Sequence, residues 1–172
     1  ASLGLIQQPQ LKARVVRDLP SCTYFMNLRT DVPPLDDVKV RQAIQYAVDK
    51  QSLVTAAGGP LMALPANDML LPGVPAKDAF DLYPTQGSQG DPAKARQLLA
   101  EAGHPDGFTL TMDVRGLPLW QSLSNSLQDS LQKAGITVQQ KPVDSAKYYD
   151  VIQTPASQSP IQATGWCSSW LN

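Results

Sequence analysis

The sequence is poor in the residues on which catalysis and metal binding usually depend: its 172 residues include one histidine and two cysteines. A Ser-His-Asp triad would have to use His104, which follows Gly103 just past a predicted helix, a position typical of an exposed or dipole-paired loop histidine. No nucleophile elbow, P-loop or dinucleotide-binding glycine motif occurs. One histidine and two distant cysteines also make no convincing zinc site. We therefore predict that the chain is not an enzyme and has neither a metal nor a cofactor.

Long apolar runs and an excess of charge of one sign are missing as well. No segment approaches the roughly 18 apolar residues of a membrane span, and the first residues, ASLGLIQQPQ, lack the basic and apolar parts of a signal peptide. The net charge of −1 provides no basic face for nucleic acid or anionic lipid. A hydrophobic content of 42% is enough for the core of one domain. Because the chain starts without methionine and both ends are abrupt, we expect one domain of a longer protein.

Alternating helix and strand patterns are present, and they predict an α/β fold with a mixed or mostly parallel sheet flanked by helices. Asp91 and Pro92 begin the clearest helix, and Gly103 ends it. The predicted strands cover residues 12–18, 23–28, 108–114, 136–141 and 161–166, and the predicted helices cover residues 37–49, 51–57, 92–102, 119–134 and 145–153.

Residues 58–90 interrupt this pattern, because proline, glycine and alanine dominate there and no periodicity persists. A loop of about thirty residues without regular structure is unusual inside a compact domain and is often functional. The alternative is a surface excursion that packs through its larger apolar residues, Leu64, Leu70, Leu71 and Phe80. The sequence favours neither reading.

Two polar and aromatic clusters have structural interpretations. Asp36 or Asp37 is predicted to cap the helix that follows, and Arg41 to bridge to these aspartates or to a neighbouring loop. We therefore interpret Asp37 and Arg41 as structural residues rather than as a carboxylate–guanidinium site. Tyr148 and Tyr149 are adjacent on a short predicted helix, so one ring should face the core and the other a surface or groove.

The last predicted strand contains a glycine, Gly165, whose backbone no side chain covers. Trp166 follows it directly, and Trp170 follows shortly after the strand. Such a place could pair main-chain groups with an extended peptide between aromatic walls, or the two tryptophans could fill a core. Cys22 and Cys167 lie at opposite ends of the chain. They could be two buried free thiols or, in an exported protein, a disulfide that stabilises by roughly 5 kcal/mol.

Four segments, read in order, resemble blocks of the extracytoplasmic solute-binding proteins of ATP-binding-cassette importers, in the peptide/nickel-binding family. Each block alone is moderately specific, but their order and rough spacing match along most of the chain. The segments are NLRTDVPPLDDVKVRQAIQYAVDK at 27–50, GDPAKARQLLAEAGHPDGFTLTM at 90–112, the predicted helix from 119 with the following ITVQQ, and TGWCSSW at 164–170.

The resemblance implies one lobe of a type II periplasmic-binding-protein-like clamp. Residues 1–172 would form the second lobe, and the first lobe of the same protein, which supplies the opposite wall of the cleft, would lie outside this chain. Such a protein captures peptides or peptide-like solutes outside the cell, in the periplasm or on a lipid anchor, and delivers them to the permease transmembrane subunits. Members of the family lack catalytic activity. We expect this protein to act as a monomer and to bind no nucleic acid.

The resemblance also implies a site. In oligopeptide-binding relatives the ligand backbone pairs with the strand around the Gly-Trp-Cys motif, and a disulfide joins its cysteine to an early strand, which matches Cys22 and Cys167. Where peptide binders place an aspartate that holds the ligand's α-ammonium, this chain has serines, so either another group supplies the charge or the ligand lacks a free amino terminus. The implied ligand-binding residues are Gly165, Trp166, Cys167, Ser168, Ser169 and Trp170.

The leading hypothesis is therefore the solute-binding component of an importer. A sensing receptor of the same fold, which presents its ligand to a signalling partner, is a second possibility. A third is a small serine hydrolase that uses Ser168 or Ser169, and its scheme depends on the single His104.

Overall fold

The computed structural model describes residues 22–70 and 81–167, together with residues 4, 8–12 and 14 near the start of the chain. Four strands form one sheet in this part of the chain, with short helices between them. The strands are β1 (Cys22–Leu28), β2 (Phe108–Arg115), β3 (Ile136–Val143) and β4 (Ile161–Cys167). The helices are α1 (Pro9–Lys12), α2 (Val38–Ala47), α3 (Lys50–Ala56), α4 (Pro92–Glu101), α5 (Pro118–Lys133) and α6 (Tyr148–Gln153), with a 3₁₀ turn at Gln86–Ser88.

The sheet is mixed, in the order β1-β4-β2-β3. β2 pairs with β3 in parallel along its whole length, whereas β1 is antiparallel to β4. The parallel pairs are joined through α5 and α6, as parallel connections require. The predicted α/β class with a mixed sheet is confirmed.

Local signals in the sequence explain where the helices begin. Asp37 is the N-cap of α2 and accepts a hydrogen bond from the Lys39 backbone nitrogen at 2.7 Å. Asp91 caps α4 in the same way through Lys94, with Pro92 in the first turn. These caps fix the start of each helix, and the apolar stripes then face the sheet.

The hydrophobic core lies between one face of the sheet and helices α2, α4 and α5. Alternate β2 residues, Leu110, Met112 and Val114, point into this core, where Leu127 and Leu131 of α5 cover them. The opposite face of the sheet carries the intervening residues, and α6 covers part of it. None of the helices in residues 22–70 and 81–167 is long and apolar enough to cross a membrane.

One predicted strand is wrong where it can be checked. Of the strand expected at residues 12–18, Lys12 is the last residue of α1 and Arg14 lies in a turn, while the other positions lie outside the described residues. The β-branched pair Val15-Val16 led to that expectation, whereas the preceding Gln-Leu-Lys favours a helical turn.

The segment 58–90 contains turns and the short 3₁₀ turn, and residues 71–80 fall outside the described part. Leu64 and Leu70 are exposed, so these two residues do not anchor the excursion in the core. Leu71 and Phe80 lie outside the described residues. Tyr83 instead packs its ring edge-to-face against Tyr46 of α2, with ring centroids 5.6 Å apart.

Candidate functional site

The end of β4 separates from the strand beside it. β4 pairs with β1 along its full length, from Leu28 opposite Ile161 to Cys22 opposite Cys167. Its ladder with β2, in contrast, is limited to two positions, at Ile161 and Gln162. In the described part of the chain, the remainder of β4 is therefore paired on the side toward β1 and carries no further ladder toward β2, so that side is open.

The hydrogen-bond alternation of an antiparallel pair shows which backbone groups face the open side. Arg29 donates its backbone N–H to the Pro160 oxygen at 3.0 Å, and this sets the hydrogen-bonded positions of β4 at alternate residues, Gln162, Thr164 and Trp166. The N–H and C=O groups of Gly165 and Cys167 consequently point away from β1. An extended chain could add to the sheet along this side.

Large rings and a disulfide surround this open edge. Trp166 is 37% exposed, so it does not fill a core. On the other face of the sheet, Tyr24 lies opposite Gly165 and packs edge-to-face on Trp120 with ring centroids 5.2 Å apart. Cys22 and Cys167, which are cross-strand partners, are joined by the disulfide that the resemblance implied.

A groove of about 850 Å³ opens beside the Tyr24 face of the strands. Its walls come from β1, α3, α5 and residues 62–70, and most of its lining surface is apolar. The size falls within the range of small-molecule sites. Residues that line it include Tyr24, Met26, Leu53, Val54, Trp120, Leu123, Leu127 and Ala163.

A buried acid fixes the start of β4 on the other face of the sheet. Asp113 of β2 is fully buried, and its carboxylate accepts hydrogen bonds from the Ser159 backbone nitrogen at 2.6 Å and from Ser159 Oγ at 2.8 Å. Lys141 Nζ of β3 lies 3.3 Å from the same carboxylate. The Gln162 side chain donates to the Ser159 backbone oxygen. The charge is thus hydrogen-bonded and paired, as a buried carboxylate requires.

The tyrosine pair behaves as the sequence predicted. Tyr148 is 1% exposed and Tyr149 is 43% exposed, with their rings edge-to-face at 5.8 Å. Burial is the main cause that raises the pKa of Tyr148 above its ordinary value, with the nearby Asp113 carboxylate adding to it. Its hydroxyl is therefore a protonated donor throughout the physiological range.

The residues interpreted as structural lie at a distance from the open edge in the sequence and in the fold. Arg41 Nη1 donates to the backbone oxygens of Leu35 and Asp36 at 2.8 and 2.9 Å, which holds the turn before α2. Of the predicted ligand-binding residues, Gly165, Trp166 and Cys167 come together on β4, whereas Ser168, Ser169 and Trp170 lie outside the described residues.

His104 lies at the opposite end of the sheet from Cys167. Its ring packs on Phe108, the first residue of β2, at 5.1 Å between centroids. Because Ile161 is level with Met112, Cys167 is displaced from Phe108 by ten strand positions, or about 33 Å at 3.3 Å per residue. Within the described residues, no three His, Cys, Asp or Glu side chains cluster in a way that could hold a metal ion.

Sequence reasoning missed the groove wall and the buried acid. Tyr24 meets Trp120 on one face of the sheet, and Asp113 meets Ser159 on the other, and both contacts join segments that are distant in the sequence. One signal was present for the acid, since Asp113 interrupts an otherwise apolar and β-branched strand, FTLTMDVR. A charged residue in such a strand usually has a buried partner.

In this mixed α/β domain an open strand edge lies beside an apolar groove, an arrangement that could accommodate an extended ligand. Solved structures support this fold. The clavulanic acid biosynthesis oligopeptide binding protein 2 superposes with a TM-score of 0.79 and 31% identity over 88% of this chain and 28% of that one. A dipeptide binding protein from Pseudoalteromonas sp. SM9913, solved with Met-Leu, superposes at 0.69 with 24% identity over 94% of this chain and 32% of that one.

Sequence comparison identifies the family. The sequence model of bacterial extracellular solute-binding proteins, family 5 (middle), matches residues 3–172, and the chain belongs to this family. The glutathione-binding protein GsiB of Salmonella typhi is 30% identical over 179 residues, which cover 98% of this chain and 30% of that protein. GsiB of Escherichia coli K12 is 29% identical over 84% of this chain and 28% of that protein. The chain thus spans about a third or less of the relatives' length.

Proposed function

We propose that this chain is the second lobe of the solute-binding component of an ATP-binding-cassette importer. It captures peptides or peptide-like solutes outside the cell, in the periplasm or at a lipid anchor, and passes them to the permease subunits. The observation that carries the proposal is the open side of β4, where the backbone groups of Gly165 and Cys167 point away from β1 beside the half-exposed Trp166.

The open edge suits a ligand with an extended amide backbone. Each ligand amide that pairs with it forms a main-chain hydrogen bond that does not depend on the ligand's side chains, and this gives affinity without narrow selectivity. The neighbouring groove is large and mostly apolar, so it tolerates varied side groups. These features favour short peptides as the ligand class, in line with the peptide and glutathione binders that the chain is similar to.

A second wall is required for tight capture. The edge and the Trp166 ring are on the surface of this domain, and the relatives that it matches are more than three times as long. We propose that the remaining length supplies the opposing lobe and that ligand binding closes the two lobes as a clamp. The complete protein is expected to act as a monomer.

We propose no catalytic step at this site. A serine hydrolase that used Ser168 or Ser169 would need a histidine within hydrogen-bond reach. His104 is the only histidine in the chain, and it lies about 33 Å along the sheet from Cys167, the residue before these serines. A binding role needs no such group.

Titration calorimetry of the full-length gene product with glutathione and trialanine tests the proposal. We expect saturable binding of one peptide per protein. Trp166→Ala removes the exposed ring beside the edge and should weaken binding at least about tenfold, the size of a stacking or apolar contact of about 1.4 kcal/mol.

Val38→Ala is the matched control, since Val38 is an exposed apolar residue on α2. It should leave the affinity unchanged. Binding of neither peptide, or equal losses in the Trp166 and Val38 variants, would contradict the assignment of this edge as the ligand site.

A further inference from the structure

The hydroxyl of Tyr148 bridges β2 and β4 at the point where their ladder ends. Its oxygen lies 2.5 Å from the backbone oxygen of Ala163 and 3.2 Å from that of Asp113. Asp113 belongs to the last β2–β4 pair, and Ala163 is the first β4 residue beyond that pair. A side chain from α6 therefore occupies the place where the next main-chain hydrogen bond of the ladder would form.

This bridge supplies a donor to the Ala163 oxygen, an acceptor that the separation of the strands would otherwise leave without its ladder partner. A backbone oxygen buried between two strands needs a hydrogen-bond donor, which in a continuing ladder is an N–H of the neighbouring strand. One hydroxyl proton serves one acceptor at a time, and the shorter distance favours Ala163. The ring itself is fully packed, so the hydroxyl has little freedom to move away.

The bridge also comes directly after the last ladder pair of β4 and β2. Asp113 holds Ser159, just before β4 begins, and the pairs at Ile161 and Gln162 follow. Beyond Ala163 the strand pairs with β1, and the disulfide joins its last described residue to the same strand. On the β2 side, the Tyr148 hydroxyl thus holds the strand just before Gly165 and Cys167 present their open side.

We propose that Tyr148 is a positioning residue for ligand binding: its hydroxyl ends the β2–β4 ladder and holds the second half of β4 as an open, ordered edge. The inference rests on the proposed function in one respect, namely that this edge pairs with the ligand backbone. It adds a residue that touches no ligand yet sets the geometry of the pairing groups.

Tyr148→Phe tests the inference, because it removes the hydroxyl and keeps the buried ring. Tyr149→Phe is the matched control, since Tyr149 is the neighbouring residue on α6 and is exposed. In the ligand-free full-length protein, amide hydrogen exchange in residues 163–167 should accelerate about fivefold in the Tyr148 variant, the factor expected for one lost hydrogen bond. Exchange in the Tyr149 variant should match the wild type.

The second readout separates positioning from a general loss of stability. Trialanine should bind the Tyr148 variant about five- to tenfold more weakly than the wild type, at a temperature where both are folded. Trialanine with an N-methylated central amide cannot pair fully with the edge, so its affinity should change less. A variant that was merely less stable would weaken both probes equally.

Three results would overturn the inference: unchanged exchange in residues 163–167, faster exchange without any loss of trialanine affinity, or equal losses for the two probes. If the wild type binds neither trialanine nor glutathione, the proposed function fails by itself. The exchange comparison still tests whether the Tyr148 hydroxyl orders β4 in that case. Faster exchange in the Tyr148→Phe variant supports this role, and unchanged exchange refutes it.

Discussion

Gly165→Ala should destabilise the protein, although Gly165 lies in a strand where alanine is ordinarily tolerated. A Cβ at this position would lie 2.6 Å from Cδ1 and 3.2 Å from Cε1 of the Tyr24 ring, and 3.2 Å from the Thr23 backbone oxygen. The first distance is about 1 Å shorter than a carbon–carbon contact. The Tyr24 ring must therefore shift, and a shift disturbs its edge-to-face contact with Trp120.

The magnitude follows from three contributions. Overpacking of this kind costs about 1–3 kcal/mol, and the lost aromatic pair accounts for about 0.5–1.5 kcal/mol of it. Alanine regains about 0.5–1 kcal/mol, because glycine loses more backbone freedom on folding. We expect a net loss of about 1–2 kcal/mol in the free energy of unfolding. In a Tyr24→Ala background the ring is absent, so the same substitution should be neutral or slightly stabilising.

A double-mutant cycle in the complete protein, followed by urea unfolding, measures this coupling between Gly165 and Tyr24. The expected coupling energy is about 1–2.5 kcal/mol, the difference between the costs of the substitution in the two backgrounds. A value below about 0.5 kcal/mol, within the range of independent sites, would show that the ring does not pack against this glycine.

Two further predictions concern the disulfide and two glycines with positive φ, and both are measured by urea unfolding. Reduction of the Cys22–Cys167 disulfide, which spans 145 residues, should lower the free energy of unfolding by about 3–5 kcal/mol, and identical unfolding curves with and without reductant would refute the chain-entropy argument. Gly107→Ala should cost more than about 3 kcal/mol, because φ is +74° and a Cβ would lie 1.9 Å from the Gly135 backbone oxygen. Gly103→Ala, with φ of +85° and open space around it, should cost only about 1–2 kcal/mol, and equal costs would contradict the clash.

Local signals in the sequence were sufficient for most elements of the fold. The caps at Asp37 and Asp91, and the four-residue spacing of Leu123, Leu127 and Leu131, predicted the helices that the structure has. These features act within one or two turns of chain, where propensity and periodicity decide the conformation. The wrong strand near Lys12 shows the limit, since a short apolar run does not distinguish a strand from a helical turn.

The site was less predictable because it depends on pairing between distant segments. The sequence indicated that one of Tyr148 and Tyr149 would be buried, but not that the hydroxyl of the buried one would reach β2 and β4. That contact follows from the separation of β4 from β2 after Gln162, which no local pattern encodes. The Gly-Trp-Cys motif gave the position of the edge through a family resemblance, whereas its open side is a property of the sheet.

The two supports of β4 would favour binding at the edge that we propose as the ligand site. Fixing the backbone of one residue costs about 1–2 kcal/mol, so an edge of three residues, 165–167, that was disordered before binding would lose about 3–6 kcal/mol of affinity. β1 and the disulfide order this segment from one side, and the Tyr148 hydroxyl holds its base on the other. The edge is therefore ordered before a ligand arrives. This edge is also short, because in the described part of β4 beyond Ala163 only Gly165 and Cys167 present their backbone groups on the side away from β1. A short edge limits the risk of pairing with another copy.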